Sequence, residues 1–269
     1  MLPINLNFLN LHNYEGVYFL IAILCALAYF TYLCKQNNID VDKMYEALFI
    51  SLISALFFGR LFSLVFWSWD DFIKNPIVLF MPWKGGITVI GAVIGGLFTG
   101  FIYAMVKKLS FFYHIRFFIP SILVGQIVGR FGCFLNGDAS GGPTNMPWGI
   151  VFHPESVAYS IYPPGTPLHP SQLYEIIGNL IILVFLIFTE KNEFITSRRI
   201  IWYLIGYGII RYITEIFRSD TAQGFFGMTS AQVIGISCVL AGIIIFIITL
   251  IKPNILEVKE SMIARPIKK

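Results

Sequence analysis

Five charged side chains stand inside stretches that are otherwise strongly apolar: Arg60, Arg130, Glu175, Arg211 and Glu215. A charge near the centre of a bilayer costs about 2.5–3.5 kcal/mol even on the lenient insertion scale, so these side chains must face a bundle interior or a wet cavity. Their spacing is ordered. Arg211, Glu215 and Arg218 fall at i, i+4 and i+7, one face of a helix, and Tyr207 extends that stripe by one turn. Gln126, Arg130 and Cys133 make a similar face further upstream. Arg130 and Arg218 both lie toward the ends of their runs, beside connecting segments. Guanidinium groups clustered beneath a surface loop suit an anion, and phosphate is the anion that the arginine fork fits best. In a bilayer the phosphate at hand is a lipid headgroup. The competing reading is a set of salt bridges that fix helix packing, and for any single pair it is at least as good. Arg60 either joins the cluster or holds a helix contact.

A second constellation is His169-Pro170-Ser171-Gln172-Leu173-Tyr174-Glu175. It opens an apolar run in the manner of a helix start, with Ser171 as N-cap. Glu175 lies one turn deeper, within reach of an arginine partner. His169 alone is weak evidence for proton transfer, and His12, His114 and His153 show no partner pattern. Cys25, Cys34, Cys133 and Cys238 form neither a CxxC pair nor a metal-ligand cluster, and Cys25, Cys34 and Cys238 fall in or beside apolar runs, as small hydrophobes. No metal and no cofactor is expected.

The elements that position these residues are membrane spans. Of the 269 residues, 57% are hydrophobic and 13% charged, too few charges to cover a soluble domain. The formal net charge of +4 is dispersed and does not point to nucleic acid. Seven stretches approach the roughly 20 apolar residues that a span needs: Tyr14–Leu33, Ala47–Trp67, Gly86–Val106, Phe117–Leu135, Leu173–Thr189, Ile200–Phe217 and Ala231–Ile251. The predicted architecture is therefore an all-α, polytopic membrane protein of about seven transmembrane helices, a single integral membrane domain over residues 1–269. Thirteen of the 19 Lys and Arg residues fall in alternate connections and the C-terminal segment, while Lys74, Lys84 and Arg218 lie on the opposite side. That asymmetry places the N-terminus outside and the C-terminus in the cytoplasm. Trp67, Trp69, Trp83 and Trp148 sit near the outer ends, as interfacial aromatics do. Residues 136–170 form an outer-side loop or small cap between spans four and five, rich in Gly and Pro and without Lys or Arg. Residues 252–269 read as a basic cytoplasmic tail. Met1–Asn13 lacks the basic start of a cleaved signal peptide, so the first apolar run reads as a retained span.

The run Gly129-Arg130-Phe131-Gly132-Cys133-Phe134-Leu135-Asn136-Gly137-Asp138-Ala139-Ser140-Gly141 resembles the motif Gly-Arg-x-Gly-Asn-Phe-hydrophobic-Asn-x-Glu-x-x-Gly of the prolipoprotein diacylglyceryl transferase family. The block from His169 to Glu175 is similar to a family block in full. So are Gly206-Tyr207-Gly208-Ile209-Ile210-Arg211, then Glu215, Phe217-Arg218 and Ala222-Gln223. Trp83-Lys84-Gly85-Gly86 resembles the family's Trp-Asp-Gly-Gly, and Tyr14 matches a family tyrosine near the first span. Three positions depart: Cys133 stands where the family has Asn, Asp138 where it has Glu, and Ile90 where it has a His that can exchange protons.

The resemblance implies an enzyme of the bacterial inner membrane. It moves the diacylglyceryl group of phosphatidylglycerol to the lipobox cysteine thiol of a prolipoprotein signal peptide, forms a thioether and releases glycerol phosphate. Its implied partners are therefore phosphatidylglycerol, prolipoproteins and membrane lipids, with no nucleic acid. By position, the resemblance assigns Arg130, Arg211 and Asp138 to catalysis. It assigns Arg130, Arg211, Asn136, Gly141 and Tyr14 to phosphatidylglycerol binding, with Arg60, His169, Glu175, Tyr207, Glu215 and Arg218 in support. With Ile90 in place of the His, three alternatives stay open: the enzyme works without it, another group such as His169 serves, or the chain is a divergent paralogue that binds lipid or modifies another acceptor. A small-solute transporter, from a different class, would also carry intramembrane charges, but no inverted pair of Gly/Pro-broken spans is present.

Overall fold

The computed structural model describes residues 4–5, 15–81, 86–218 and 227–253. Tyr14, His12, the Trp83-Lys84-Gly85 stretch, Ala222-Gln223 and the tail from residue 254 lie outside the described residues. The protein is all-α and polytopic. In chain order its helices are α1 (Glu15–Gln36), α2 (Val41–Trp67), α3 (Trp69–Lys74), α4 (Val89–Val106), α5 (Phe111–Asn136), α6 (Ser171–Phe188), α7 (Glu193–Thr196), α8 (Arg199–Ile216) and α9 (Ser230–Ile251). Among the described residues, α1, α2, α5, α6 and α9 are long and apolar enough to cross a membrane. The apolar helix α4 is shorter, and α8 has 18 residues but carries Arg199, Arg211 and Glu215.

Helix ends differ from the apolar runs where polar residues join the first turns. Helix α2 begins at Val41, not Ala47, because the Asp40 side chain accepts from the Lys43 backbone N–H at 3.3 Å and so caps it. Hydropathy alone misses such a start, since Asp42, Lys43 and Glu46 interrupt the run. Helix α4 begins three residues later than the apolar run, because Gly86 adopts φ +72° and cannot belong to the helix. A capping box between Thr229 and Gln232 starts α9.

The chain forms two compact units, one comprising residues 1–33 and 115–257, the other 34–114 and 258–269. In the second unit α2 packs on α4 through small residues. A Cβ at Gly91 would meet the Phe58 carbonyl oxygen at 2.6 Å, so only Gly permits this approach. Arg60 is buried here and donates from Nε to the Val78 carbonyl at 3.2 Å and from Nη1 to the Gly86 carbonyl at 3.1 Å. Ile90, on the first turn of α4, belongs to this unit and exposes 46% of its surface.

The first unit holds the acidic and basic motifs. Ile119 and Leu123 of α5 and Ile182, Leu183 and Leu186 of α6 form its buried core, against which Trp202, Tyr203 and Ile210 of α8 pack. Helix α9 lies close on α8 because Gly208 and Gly235 face each other's carbonyls. Between α5 and α6, residues 136–170 fold around their own core of Ile150, Phe152, Ala158 and Leu168. Ile150 and Leu168 exchange backbone hydrogen bonds at 2.9 Å. The Tyr159 hydroxyl accepts from Phe152 N and donates to the Thr166 carbonyl, each at 3.1 Å.

Candidate active site

Helices α5, α6 and α8 each contribute one polar face to a continuous chain of ion pairs. Arg130 Nε lies 2.7 Å from Glu175 Oε2, and Arg211 Nη1 lies 2.9 Å from Glu175 Oε1. Arg211 Nη2 in turn lies 2.9 Å from Glu215 Oε2, which is 4.0 Å from Arg218 Nε. The two carboxylates are buried, Glu215 completely, while the Arg130 side chain remains 26% exposed. Three guanidinium groups thus face two carboxylates, leaving one surplus positive charge along the chain of pairs. The helical spacing fixes this order. One turn separates Arg211 from Glu215, so both rise on one side of α8 toward Glu175 of α6.

Arg130 opens onto a cavity of about 690 Å³, within the usual range for small-molecule sites. One wall is apolar, built from Phe19, Ala22, Ile23 and Ala26 of α1 with Ile122 of α5. The other is polar: Gln126, Arg130, Cys133, Asn136 and Asp138, then Glu175 and Asn179 of α6 and Tyr207 of α8. Two glycines of α5 let α1 come this close. A Cβ at Gly132 would collide with the Tyr18 side chain, and one at Gly125 would press on Ala26 at 3.2 Å. Gln126 Nε2 donates to the Tyr203 hydroxyl at 2.9 Å, and Tyr203 stacks on Tyr207 with ring centroids 5.5 Å apart. The Cys133 thiol lies beside both the Arg130 guanidinium and the Asp138 carboxylate.

The turn after α5 is held in place by the start of α6. Gly137 (φ +79°) and Ala139 (φ +54°) reverse the chain. Gln172 Nε2 donates to the Asp138 carbonyl at 2.7 Å, and Ser171 Oγ to the Ala139 carbonyl at 2.6 Å. This corrects the N-cap reading of Ser171. Pro170 occupies the cap position without a side-chain bond, and the Ser171 hydroxyl is drawn across to a carbonyl that the turn would otherwise leave unpaired.

The residues expected from the sequence separate into three groups. Arg130, Asn136, Asp138, Glu175 and Tyr207 line the cavity. Arg211, Glu215 and Arg218 stand behind Glu175 in the ion-pair chain. Gly141 and His169 serve a third purpose. Gly141 N donates to the His169 carbonyl at 2.8 Å, and a Cβ on Gly141 would meet His169 Cβ and the Phe217 carbonyl oxygen at 2.6 Å. His169 Nδ1 is 3.0 Å from the Tyr174 hydroxyl, which accepts from Trp148 Nε1 at 2.8 Å. Burial holds the His169 imidazole below its ordinary value, so it is neutral near pH 7. Arg60 belongs to the other compact unit. Sequence reasoning missed Gln172 and Asn179. Asn179 is buried, lines the cavity, and its Oδ1 has no hydrogen-bond partner among the described residues. Its spacing of four from Glu175 in an apolar run was an available signal.

A cavity with apolar and polar lining, beside partly buried guanidinium groups in a bundle of apolar helices, marks a polytopic membrane protein. The family profile described as prolipoprotein diacylglyceryl transferase matches residues 2–248. The chain belongs to the prolipoprotein diacylglyceryl transferase family. It is 33% identical over 210 residues to a phosphatidylglycerol–prolipoprotein diacylglyceryl transferase of Oceanobacillus iheyensis, covering 77% of this chain and 73% of that protein. Proteins of the same description from Finegoldia magna (30% over 214 residues, 79% and 81% covered) and Staphylococcus haemolyticus (31% over 219 residues, 81% and 77%) are similar.

Proposed function

We propose that this chain transfers the diacylglyceryl group of phosphatidylglycerol to the lipobox cysteine thiol of prolipoproteins. The observation that carries the reading is the two-sided cavity, with an apolar α1 wall for the glyceride and a polar wall that includes Arg130 for the phosphate. Arg130 is tied to Glu175 through Nε, which leaves its terminal amino groups for phosphate oxygens. As the ester carbon–oxygen bond breaks, the phosphate gains a negative charge, and a preorganised guanidinium stabilises that change. Glu175 and Arg211 position Arg130. Asn136 and Asp138 supply the polar end against which the thiol arrives, and Gly141 and His169 keep that end closed against α8. Tyr14, outside the described residues, joins the lipid-binding residues only by the family resemblance.

In this reading α1, α2, α4, α5, α6, α8 and α9 are seven spans of the bacterial inner membrane, with the N-terminus outside and the C-terminus in the cytoplasm. Residues 136–170 cap the cavity on the outer side. The Lys and Arg asymmetry of the connections supports that orientation. Ile90, apolar where the family has His, favours a second reading: a relative that binds phosphatidylglycerol and modifies another acceptor. The test is purified protein with phosphatidylglycerol and a lipobox peptide, scored by mass for the thioether and by release of glycerol phosphate. A product with the Cys peptide and none with its Ser counterpart is expected. Binding of phosphatidylglycerol without any transfer to the peptide would favour the second reading.

A further inference from the structure

The thiol must lose its proton during transfer, and the cavity contains few groups able to take it. Glu175 is engaged on both oxygens by arginines, at 2.7 and 2.9 Å, so its charge is already compensated and its affinity for a proton lowered. His169 does not line the cavity, and Ile90 has no proton acceptor. Asp138 differs. It lines the cavity, and its Oδ1 is buried without a hydrogen-bond partner among the described residues. Its backbone is fixed on both sides, since its N–H donates to the Cys133 carbonyl at 3.1 Å and its carbonyl accepts from Gln172. The Cys133 thiol lies beside the same carboxylate, so a thiol is already accommodated there, and a buried carboxylate oxygen left without a donor is costly unless a substrate proton comes to it.

We infer that Asp138 is the general base that takes the proton of the acceptor thiol. The inference rests on the transferase reading above. The S–H bond breaks and its proton passes to Asp138 Oδ1. The sulfur pair forms the carbon–sulfur bond to the diacylglyceryl carbon, and the carbon–oxygen pair leaves with glycerol phosphate. Asp138 then releases the proton to water. The charge balance favours this route. The phosphate goes from one negative charge to two as the carboxylate goes from one to none, so the total charge in the cavity is constant throughout the step. In a site of low dielectric this avoids building up net charge. The charged and titratable groups lining the same cavity as Asp138 are Arg130 and Cys133 of α5, Glu175 of α6, Tyr207 of α8 and Tyr18 of α1. Of these the Arg130–Glu175 pair is internally compensated.

The test is the pH dependence of transfer by Asp138→Asn, an isosteric change, with purified protein, phosphatidylglycerol vesicles and a lipobox peptide. At pH 7 kcat should fall by roughly 10²-fold or more, the range of general-base contributions, with KM for phosphatidylglycerol little changed. The defect should shrink progressively toward pH 9, because a free thiol with a pKa near 8.5 then ionises without help. Asp138→Glu should keep most activity. Should the Asn variant not accumulate, Asp138→Ala with added formate replaces it, and restored turnover supports the role. A loss that is the same at every pH, an unimpaired Asn variant, or an Ala variant that formate leaves inactive would each overturn the inference. Wild-type protein that transfers nothing would instead overturn the transferase reading, and the inference with it.

Discussion

Replacing Arg211 with Gln separates a positioning role from direct contact with substrate. Arg211 touches Glu175 and Glu215 at 2.9 Å each and does not line the cavity. Among the described residues, its loss leaves Glu215, fully buried, with the Arg218 Nε at 4.0 Å, and leaves Glu175 with Arg130. Breaking a buried ion pair by removing one partner costs about 3–5 kcal/mol, because the remaining carboxylate must stay charged without compensation or take up a proton. At about 2–4 °C of melting temperature per kcal/mol for a chain near this size, the variant should melt roughly 6–20 °C lower in detergent. Adding Glu215→Gln removes the orphaned carboxylate, so the double variant should recover more than half of that loss. Thermal unfolding in one detergent, followed by the monodisperse fraction surviving on gel filtration, reads both effects. An Arg211→Gln protein that melts within 2 °C of wild type yet has lost turnover would refute this reasoning, since Arg211 would then act on substrate rather than on its neighbours.

Three further outcomes follow from the geometry. Gly141→Ala forces a methyl group against His169 Cβ and the Phe217 carbonyl, and overpacking of this kind costs about 1–3 kcal/mol. Its melting temperature should drop while turnover per folded molecule persists, and the reverse pattern would return Gly141 to the lipid site. Because burial lowers the His169 pKa in the folded protein, protonation favours unfolding. Stability should therefore fall as pH drops below the unfolded value of ~6.5 and level off beneath the depressed folded value, and His169→Gln should flatten that limb of the melting profile. Cys133→Asn should keep or raise activity, because direct transfer needs no enzyme-bound intermediate. Abolished turnover together with loss of a lipid adduct on Cys133 would show the thiol to be a nucleophile.

Two faces of this site were legible from spacing alone. The 3.6-residue period placed Gln126, Arg130 and Cys133 on one side of α5, and Arg211, Glu215 and Arg218 on one side of α8. The structure joins both faces through Glu175 of α6. Periodicity reports the side of a helix a residue occupies, not what lies opposite, so it could not separate Arg130 at the cavity from Arg211 behind it. The same limit explains Ser171, whose hydroxyl had a local use at the helix start and instead reaches 32 residues back to Ala139. Gly141 entered through a motif match, which does not distinguish a ligand contact from a place where no side chain fits. The fold of residues 136–170 was hidden because its core pairs Ile150 with Leu168 across a Pro- and Gly-rich stretch lacking a sustained period.

The lipid-phosphate role proposed for Arg130 is tested most directly by turnover per folded molecule of Arg130→Gln. Glu175 keeps Arg211 as partner in that variant, and Arg130 is the more exposed of its two arginines, so membrane abundance and melting should stay near wild type. Loss of one charge-assisted contact to the developing phosphate charge should raise the barrier by about 2.7–4 kcal/mol, roughly a hundred- to thousand-fold in rate. Arg130→Lys should recover only part of it, since an ammonium lacks the fork. A protein that inserts and melts normally and transfers at one-hundredth of the wild-type rate or less is the predicted result. Normal turnover per folded Arg130→Gln molecule would contradict the account.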